Sequence, residues 1–254
     1  DMFLFATRFV FSIDPTFWDL KHEIKQFFQK DKTIYRIAIL TSRGNKYGST
    51  SSVQRVTGDY PYILKRYSKF YNLVNIGKPE ESLKLEPIRE ISPIYRLLNL
   101  KYLVLDSGVE IPFKEYKKVY DDGEFVIFEN INSLGRIFIS HNVKIARHED
   151  LALRYLFEQE TVSGKQIILE KDVRDEMKKE LKIPTTEQNI LERAQIVEYK
   201  PDTVIIDVNV VQDSWVCLLD TFYPGWEAII DGSVKTEIFN ANYLFRAVYV
   251  SKGQ

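Results

Sequence analysis

The stretch DTFYPGWEAIIDGSVKTEIFNANYLFRAVYVSKGQ, residues 220–254, decides the fold of the C-terminal part of this chain. It contains three strand-like runs separated by two hairpin-type turns, in the order Trp226–Ile230, Asp231-Gly232, Val234–Ile238, Asn240-Ala-Asn and Tyr243–Val250. A further turn signal, Ser-Lys-Gly-Gln, follows the last run. We therefore expect a C-terminal β domain that is truncated before its last strand.

Upstream of this stretch the strand pattern continues back to about residue 195, with Gln195–Tyr199, Thr203–Val211 and Trp215–Phe222. Before residue 182 the chain instead alternates helical and strand-like periodicity. This change predicts an α+β fold, with a mixed α/β domain at residues 1–185 followed by an antiparallel β-sandwich-like domain at residues 186–254.

The first part contains five predicted helices and six predicted strands. The helices are Thr16–Gln29, a segment that begins at Tyr60, Ser92–Asn99, Glu149–Phe157 and Val173–Leu181. The strands are Ile34–Leu40, Tyr102–Leu105, the hairpin Tyr116–Tyr120 with Phe125–Glu129, Arg136–Ser140 and Gln166–Leu169.

Composition excludes several classes of protein. With 254 residues and 44% hydrophobic content, the chain has enough apolar side chains for a substantial core. Its 35 basic and 36 acidic residues give a net charge of −1, so we expect no nucleic-acid partner. The single cysteine, Cys217, lies in an apolar run, where a buried structural thiol is favoured over a reactive one. No run reaches the roughly 18 to 20 apolar residues of a membrane-spanning helix.

The sequence contains few of the patterns that mark metal-binding or catalytic sites. His22, His141 and His148 lie in different predicted elements without metal-ligand spacing, so we expect no metal site. No nucleophile elbow, P-loop or dinucleotide-binding turn is present, and we expect neither a catalytic residue nor a cofactor in this chain.

Two short motifs near the second predicted helix suggest a weak binding groove. Asp59, Tyr60 and Arg66 lie beside a Ser/Gly-rich loop, where a guanidinium fork and a tyrosine face can hold a phosphate or a sugar hydroxyl. The same spacing is also that of an ordinary amphipathic helix. For Trp226 we predict a structural anchor in the core, the alternative being an exposed platform for sugar stacking.

The C-terminal residues carry a family resemblance. DTFYPGWEAIIDG and the following NANYLFRAVYVSKGQ are similar to the end of the bacterial YfhO-type membrane protein family. Two further stretches agree, LLNLKYLVL at Leu97–Leu105 and FVIFENINSLGRIFIS at Phe125–Ser140, the second with Gly135 where the family often carries Pro. Weaker support comes from GDYPYILKRYSKF at Gly58–Phe70.

This resemblance implies an extracytoplasmic portion of a polytopic membrane protein related to GT-C glycosyltransferases, whose catalytic carboxylate lies on an early loop outside this chain. The implied role is accessory to glycosyl transfer from a lipid-phosphate-linked sugar to an envelope acceptor. The alternative is a non-catalytic carbohydrate- or partner-binding module in envelope assembly or export. The implied partners are the transmembrane portion of the parent chain and an envelope glycan or lipid-linked sugar, on the outer side of the cell membrane.

Overall fold

The fold is built around two β-sheets with helices beside them, as seen in a computed structural model that describes residues 21–41, 53–56, 63–82, 85, 88, 91–171 and 192–252. Helices occur together with mixed and antiparallel sheets, which confirms the predicted α+β class. The predicted helix Val173–Leu181 lies outside the described residues, as does the first part of the predicted helix Thr16–Gln29.

The first sheet has five strands in the order β2-β1-β3-β5-β4. These strands are β1 (Arg36–Leu40), β2 (Gln54–Arg55), β3 (Leu100–Asp106), β4 (Tyr116–Asp121) and β5 (Phe125–Asn130). The first three are parallel, whereas β3, β5 and β4 pair antiparallel. The central strand β3 has an almost continuous apolar sequence because both of its faces are covered.

One helix packs against each face of this sheet, because successive side chains of a strand point to opposite faces. The helix α1 (His22–Lys30) packs Ile24 and Phe28, one turn apart, against one face. The opposite face contributes Ala38 and Leu103 to the main core, together with Phe70 and Tyr71 of α2 (Lys65–Ile76).

A short 3₁₀ helix (Pro93–Leu98) leads directly into β3. Pro93 begins this helix, since its fixed φ suits the first position and it needs no amide partner there. Asn99 ends the helix in the left-handed conformation, with φ of 55°.

The second sheet has six strands in the order β6-β11-β15-β14-β8-β7. These are β6 (Ile137–Ser140), β7 (Asn142–Ile145), β8 (Gln166–Leu169), β11 (Ser214–Thr221), β14 (Phe239–Ala241) and β15 (Phe245–Val250). Two short helices, α3 (Glu149–Tyr155) and α4 (Gln159–Val162), form the crossover between the parallel strands β7 and β8.

Two antiparallel ribbons complete the described fold. They are β9 (Arg193–Tyr199) with β10 (Val204–Asn209), and β12 (Ala228–Ile230) with β13 (Val234–Thr236). A small apolar cluster packs Val208 and Val210 against Val216 and Val250 of the second sheet. A complete sandwich remains a prediction.

Sheet membership does not follow the predicted boundary between residues 185 and 186. Strands from residues 137–169 and from residues 214–250 form the same sheet. The main core likewise joins Leu103 of the first sheet to Trp215 and Phe245 of the second. Cys217 is fully buried in this core, which confirms its predicted burial, and burial raises the pKa of its thiol.

The last hairpin differs from the sequence prediction. Asn240-Ala-Asn is not the turn, because Phe239–Ala241 forms β14. The chain instead turns at Asn242 and Tyr243, with φ of 47° and 70°. Asn242 makes this turn possible, since asparagine tolerates the left-handed region and its Oδ1 accepts a hydrogen bond from the Ile168 amide at 2.8 Å.

Trp226 occupies a different environment from the predicted one. The turn at Pro224-Gly225 is confirmed, and Gly225 has a φ of 102°. Trp226 is nevertheless only half-buried and lies outside the three buried clusters. Its indole ring lies 4.2 Å from the Arg246 guanidinium carbon, a cation–π contact in place of core packing.

Trp215 and Trp226 should therefore differ in their contribution to stability. Trp215 is 1% exposed and packs edge-on against Phe239 and Tyr249. We expect Trp215→Ala to lower the free energy of unfolding by about 3 to 5 kcal/mol, because it removes buried area and leaves a cavity. Trp226→Ala should cost only about 1 to 2 kcal/mol. Urea unfolding of both variants measures the difference. Equal losses in the free energy of unfolding would support the prediction that Trp226 is a core anchor.

Candidate functional site

A cleft of about 560 Å³ lies between the α1–β1 connection, the segment that precedes β6, and strand β9. It is lined by Lys32, Thr33, Ile34, Tyr35, Asn99, Lys101, Ser133, Leu134, Gly135, Arg136, Ile137, Ala194, Gln195, Ile196, Val197 and Tyr199. Three of these residues are cationic, Lys32, Lys101 and Arg136, and none is acidic. Tyr35 and Tyr199 add aromatic surface.

One of the three cations is held by a carboxylate just outside the cleft. Lys101 Nζ lies 2.5 Å from Asp31 Oδ2, and the Tyr102 hydroxyl donates to the same oxygen at 2.9 Å. Burial alone would raise the pKa of Asp31, but hydrogen bonds from Lys101, Thr33 and Tyr102 lower it to about 2. Lys101 is therefore held in position, whereas Lys32 extends from an exposed position.

Two residues that line the cleft contain buried polar atoms without a hydrogen-bond partner. Asn99 uses its Nδ2 to donate to the Leu134 carbonyl at 2.7 Å, which leaves Oδ1 without a donor. The Nε of Arg136 likewise has no acceptor. Six other buried side-chain atoms among the described residues also lack a partner, so these two atoms do not by themselves mark a ligand site.

Arg136 connects the cleft to a buried group of charges centred on Asp220. We call Asp220, Arg36, Arg136, Arg246 and Tyr199 the Asp220 cluster. Asp220 Oδ1 accepts from Arg136 Nη1 at 3.1 Å, and Oδ2 accepts from Arg246 Nη2 at 3.0 Å. The Tyr199 hydroxyl lies 2.9 and 3.0 Å from the two oxygens, and Arg36 Nη2 lies 3.6 Å from Oδ1.

The Asp220 cluster contains more positive than negative charge. Three guanidinium groups share one carboxylate, and the side chains of Arg136 and Arg246 are almost fully buried. Burial, followed by the nearby charge of Arg36, lowers the pKa of Arg136 to about 10, so this residue remains charged at neutral pH. Backbone carbonyls offset part of the excess, since both Arg36 and Arg136 donate to Leu219 O.

The sequence-predicted site residues lie elsewhere. Asp59 and Tyr60 fall outside the described residues. Arg66 does not line the cleft: its Nε donates to the Tyr243 carbonyl at 2.9 Å, its guanidinium covers the Tyr243 ring, and it pairs with Glu170. These contacts join α2 to the turn before β15, and a binding role for Arg66 stays a prediction.

His141 forms hydrogen bonds that resemble a catalytic relay. Its Nε2 lies 2.7 Å from Glu192 Oε2, and its Nδ1 lies 3.2 Å from Ser214 Oγ. Ser214, however, is fully buried, and its hydroxyl donates to the Gln212 carbonyl at 2.7 Å. A nucleophile must reach a substrate, so this arrangement is structural and ties the start of β9 to β6 and β11.

The Asp220 cluster is not among the sites predicted from the sequence, although the sequence contains a signal for it. Arg36, Arg136 and Arg246 each stand as a single charge within an apolar strand-like run, IYRIAIL, LGRIFI and LFRAVYV. Asp220 follows the apolar run VCLL in the same way. Charged residues are rarely fully buried unless paired, so isolated charges of opposite sign in separate buried strands indicate a mutual contact.

Among the described residues, no group of three or more His, Cys, Asp or Glu side chains is placed to hold a metal ion. Of the helices in the described ranges, none combines the length and apolarity that crossing a bilayer requires.

The ion pair of Asp31 predicts a specific pH dependence of stability. The pKa of Asp31 is about 2 in the folded chain and about 3.9 in an unfolded one. The pair therefore stabilises the fold fully above about pH 4, and this contribution is lost as the pH falls from about 4 to about 2. The free energy of unfolding of Asp31→Asn should decrease less steeply than that of the wild type over this interval. Urea unfolding at several pH values measures both slopes, and equal slopes would contradict the pairing.

Removal of the one carboxylate from the Asp220 cluster should be strongly destabilising. Asp220→Asn leaves three guanidinium groups without a counter-charge, and we expect a loss of about 3 to 5 kcal/mol in the free energy of unfolding. Asp202→Asn is the matched control, since Asp202 is exposed on the β9–β10 connection. Chemical denaturation compares the two variants, and a loss at residue 220 no greater than at residue 202 would show that the cluster is not a stabilising contact.

Comparison with protein-family models, with curated proteins and with solved structures gives no match for this chain. The cleft and the Asp220 cluster are therefore interpreted from their own geometry.

Proposed function

We propose that this chain is a non-catalytic binding module that holds an anionic, hydroxyl-rich ligand in the cleft, namely an envelope glycan or a lipid-linked sugar. The observation that carries the proposal is the lining, which combines three cationic side chains and two tyrosines with no acidic side chain. Ammonium and guanidinium groups bind phosphate and carboxylate oxygens, and aromatic faces pack against apolar sugar faces.

The same lining argues for binding without glycosyl transfer by this chain. Glycoside chemistry generally uses a pair of carboxylates on either side of the scissile bond. No carboxylate lines the cleft, and the described carboxylates that contact its lining residues already have partners: Asp31 and Glu129 pair with Lys101, and Asp220 with Arg136 and Tyr199. A catalytic carboxylate would have to come from another part of a parent protein.

The proposed context follows from the YfhO resemblance. We propose that the chain forms the extracytoplasmic portion of a polytopic membrane protein and assists glycosyl transfer from a lipid-phosphate-linked sugar to an envelope acceptor. A carbohydrate- or partner-binding module without any transferase in its parent is the alternative. An acidic residue on the first extracytoplasmic loop of the parent would favour the transferase, and its absence would favour the alternative.

Ligand binding can be tested at Lys32, which is exposed at the cleft and makes no contribution to the Asp220 cluster. A ¹⁵N NMR titration with glycerol-phosphate oligomers should shift cleft resonances with a Kd near 1 mM, since a small polar site offsets little more than the cost of association. Lys32→Glu should weaken this binding about three- to ten-fold by charge reversal. Lys117→Glu, on the exposed edge strand β4, is the matched control.

The outcomes separate the proposal from unspecific attraction. Neutral maltohexaose should bind more weakly than the anionic oligomer, because it cannot pair with the cations. Equal weakening by the two lysine variants would indicate general surface charge. Shifts confined to regions outside the cleft would contradict the proposed function.

A further inference from the structure

We propose that His141 is a pH-dependent positioning residue for the cleft, because it holds the start of β9, the strand that forms one wall. The effect on ligand binding rests on the proposed function, whereas the contact between His141 and Glu192 does not. Glu192 directly precedes β9, and β9 contributes to the cleft lining Ala194, Gln195, Ile196, Val197 and Tyr199. The position of β9 therefore sets the shape of the cleft.

Side chains hold the β9–β10 ribbon at both ends of β9. In the described part of the chain, these two strands pair with each other and with no third strand. At the far end of β9, the Tyr199 hydroxyl donates to Asp220 at 2.9 Å. At the near end, Glu192 Oε2 lies 2.7 Å from His141 Nε2, and Glu192 Oε1 accepts from the Val211 amide at 3.1 Å. Glu192 thereby joins the open end of the ribbon to His141, which lies between β6 and β7.

The hydrogen bonds around His141 require a proton on both of its ring nitrogens. Ser214 Oγ donates its single proton to the Gln212 carbonyl at 2.7 Å, so it accepts from His141 Nδ1, which lies 3.2 Å away. The Glu192 carboxylate is likewise an acceptor. An imidazolium donates to both partners, whereas a neutral imidazole donates to only one. The contacts are therefore complete only when His141 is charged.

Glu192 is the charged group that contacts the His141 ring in the described residues. Other charged side chains next to these contacts in the chain have partners elsewhere, Asp213 with the Tyr249 hydroxyl and the Lys252 amide, and Arg193 with Asp207. The side chains of His141 and Glu192 are 17% and 20% exposed, so solvent screens their attraction only in part. Histidine side chains commonly gain or lose their charge between about pH 5 and 8.

Loss of a proton from His141 weakens the attachment of β9. As the pH rises, the hydrogen bond to Glu192 loses the positive charge of its donor, and Nδ1 no longer donates to Ser214. The start of β9 is then held mainly by apolar packing, and the cleft wall occupies the position that binds ligand for a smaller fraction of the time. Ligand affinity at the cleft should therefore fall as the pH rises, because only this position binds ligand.

A ¹⁵N NMR titration of the free chain between about pH 5 and 8 tests the positioning of β9 without a ligand. The amide resonances of residues 194–197 should shift with the same midpoint as the His141 ring. These shifts should be absent in His141→Gln, which keeps a side-chain donor but does not titrate. His22→Gln is the matched control and should retain them, since His22 is exposed on α1 and contacts Gln26 of the same helix. Resonances of β9 that do not follow the His141 ring would overturn the proposal.

The second measurement is the affinity for a diester-linked glycerol-phosphate oligomer, whose charge is constant over this pH range. The wild-type Kd should be about three- to five-fold weaker at the upper end of the range, since one charge-assisted hydrogen bond is lost. His141→Gln should remove this dependence. Glu192→Gln, which keeps an acceptor for the Val211 amide, should reduce it and serves if the first variant does not fold. A dependence as steep as that of the wild type in these variants would contradict the proposal. If β9 follows the His141 ring but the oligomer binds at no pH, the proposed function fails and the positioning of β9 by His141 stands.

Discussion

The carboxylate of Asp220 is the contact on which the arrangement of the two sheets depends. It receives side chains from four separate segments: β1 through Arg36, the segment before β6 through Arg136, β9 through Tyr199 and β15 through Arg246. Buried charges are costly without partners, so each of these segments is restrained to a position from which its side chain reaches Asp220. The apolar core supplies most of the favourable free energy. Apolar packing is non-directional, however, and it constrains the relative positions of these segments less than the hydrogen bonds of the cluster do.

The cleft follows from the same arrangement. Arg136 and Tyr199 belong to the Asp220 cluster and also line the cleft. The three guanidinium groups of the cluster outnumber its one carboxylate, so part of their positive charge is not neutralised within it. Electrostatic attraction in a concave site is stronger than on an open surface, which favours negatively charged ligands in the cleft.

Local patterns in the sequence were sufficient to predict much of the fold. Turn residues and alternation located the hairpin of Tyr116–Asp121 with Phe125–Asn130, the Asp231-Gly232 turn and the strand Gln166–Leu169, because each depends on neighbouring residues only. The strand Phe239–Ala241 was missed because a side chain, Asn242, completes its pairing with β8. Isolated charges in apolar runs are a local signal for the Asp220 cluster. The cleft instead joins residues that are far apart in the chain, and no local pattern encodes it.

The wide separation of these partners along the chain has a consequence for folding. Arg36 donates to Leu219 across 183 residues, and Arg136 reaches Asp220 across 84. Contacts of such high contact order require large loops to close before any stabilisation is gained, and loop closure costs chain entropy. The charged groups must also be desolvated, which is costly until their partners are present. They therefore pair only when both sheets are nearly in place. The cluster should therefore be among the last contacts formed. Contacts that form after the folding transition state change the unfolding rate more than the folding rate, so the cluster should slow unfolding more than it speeds folding.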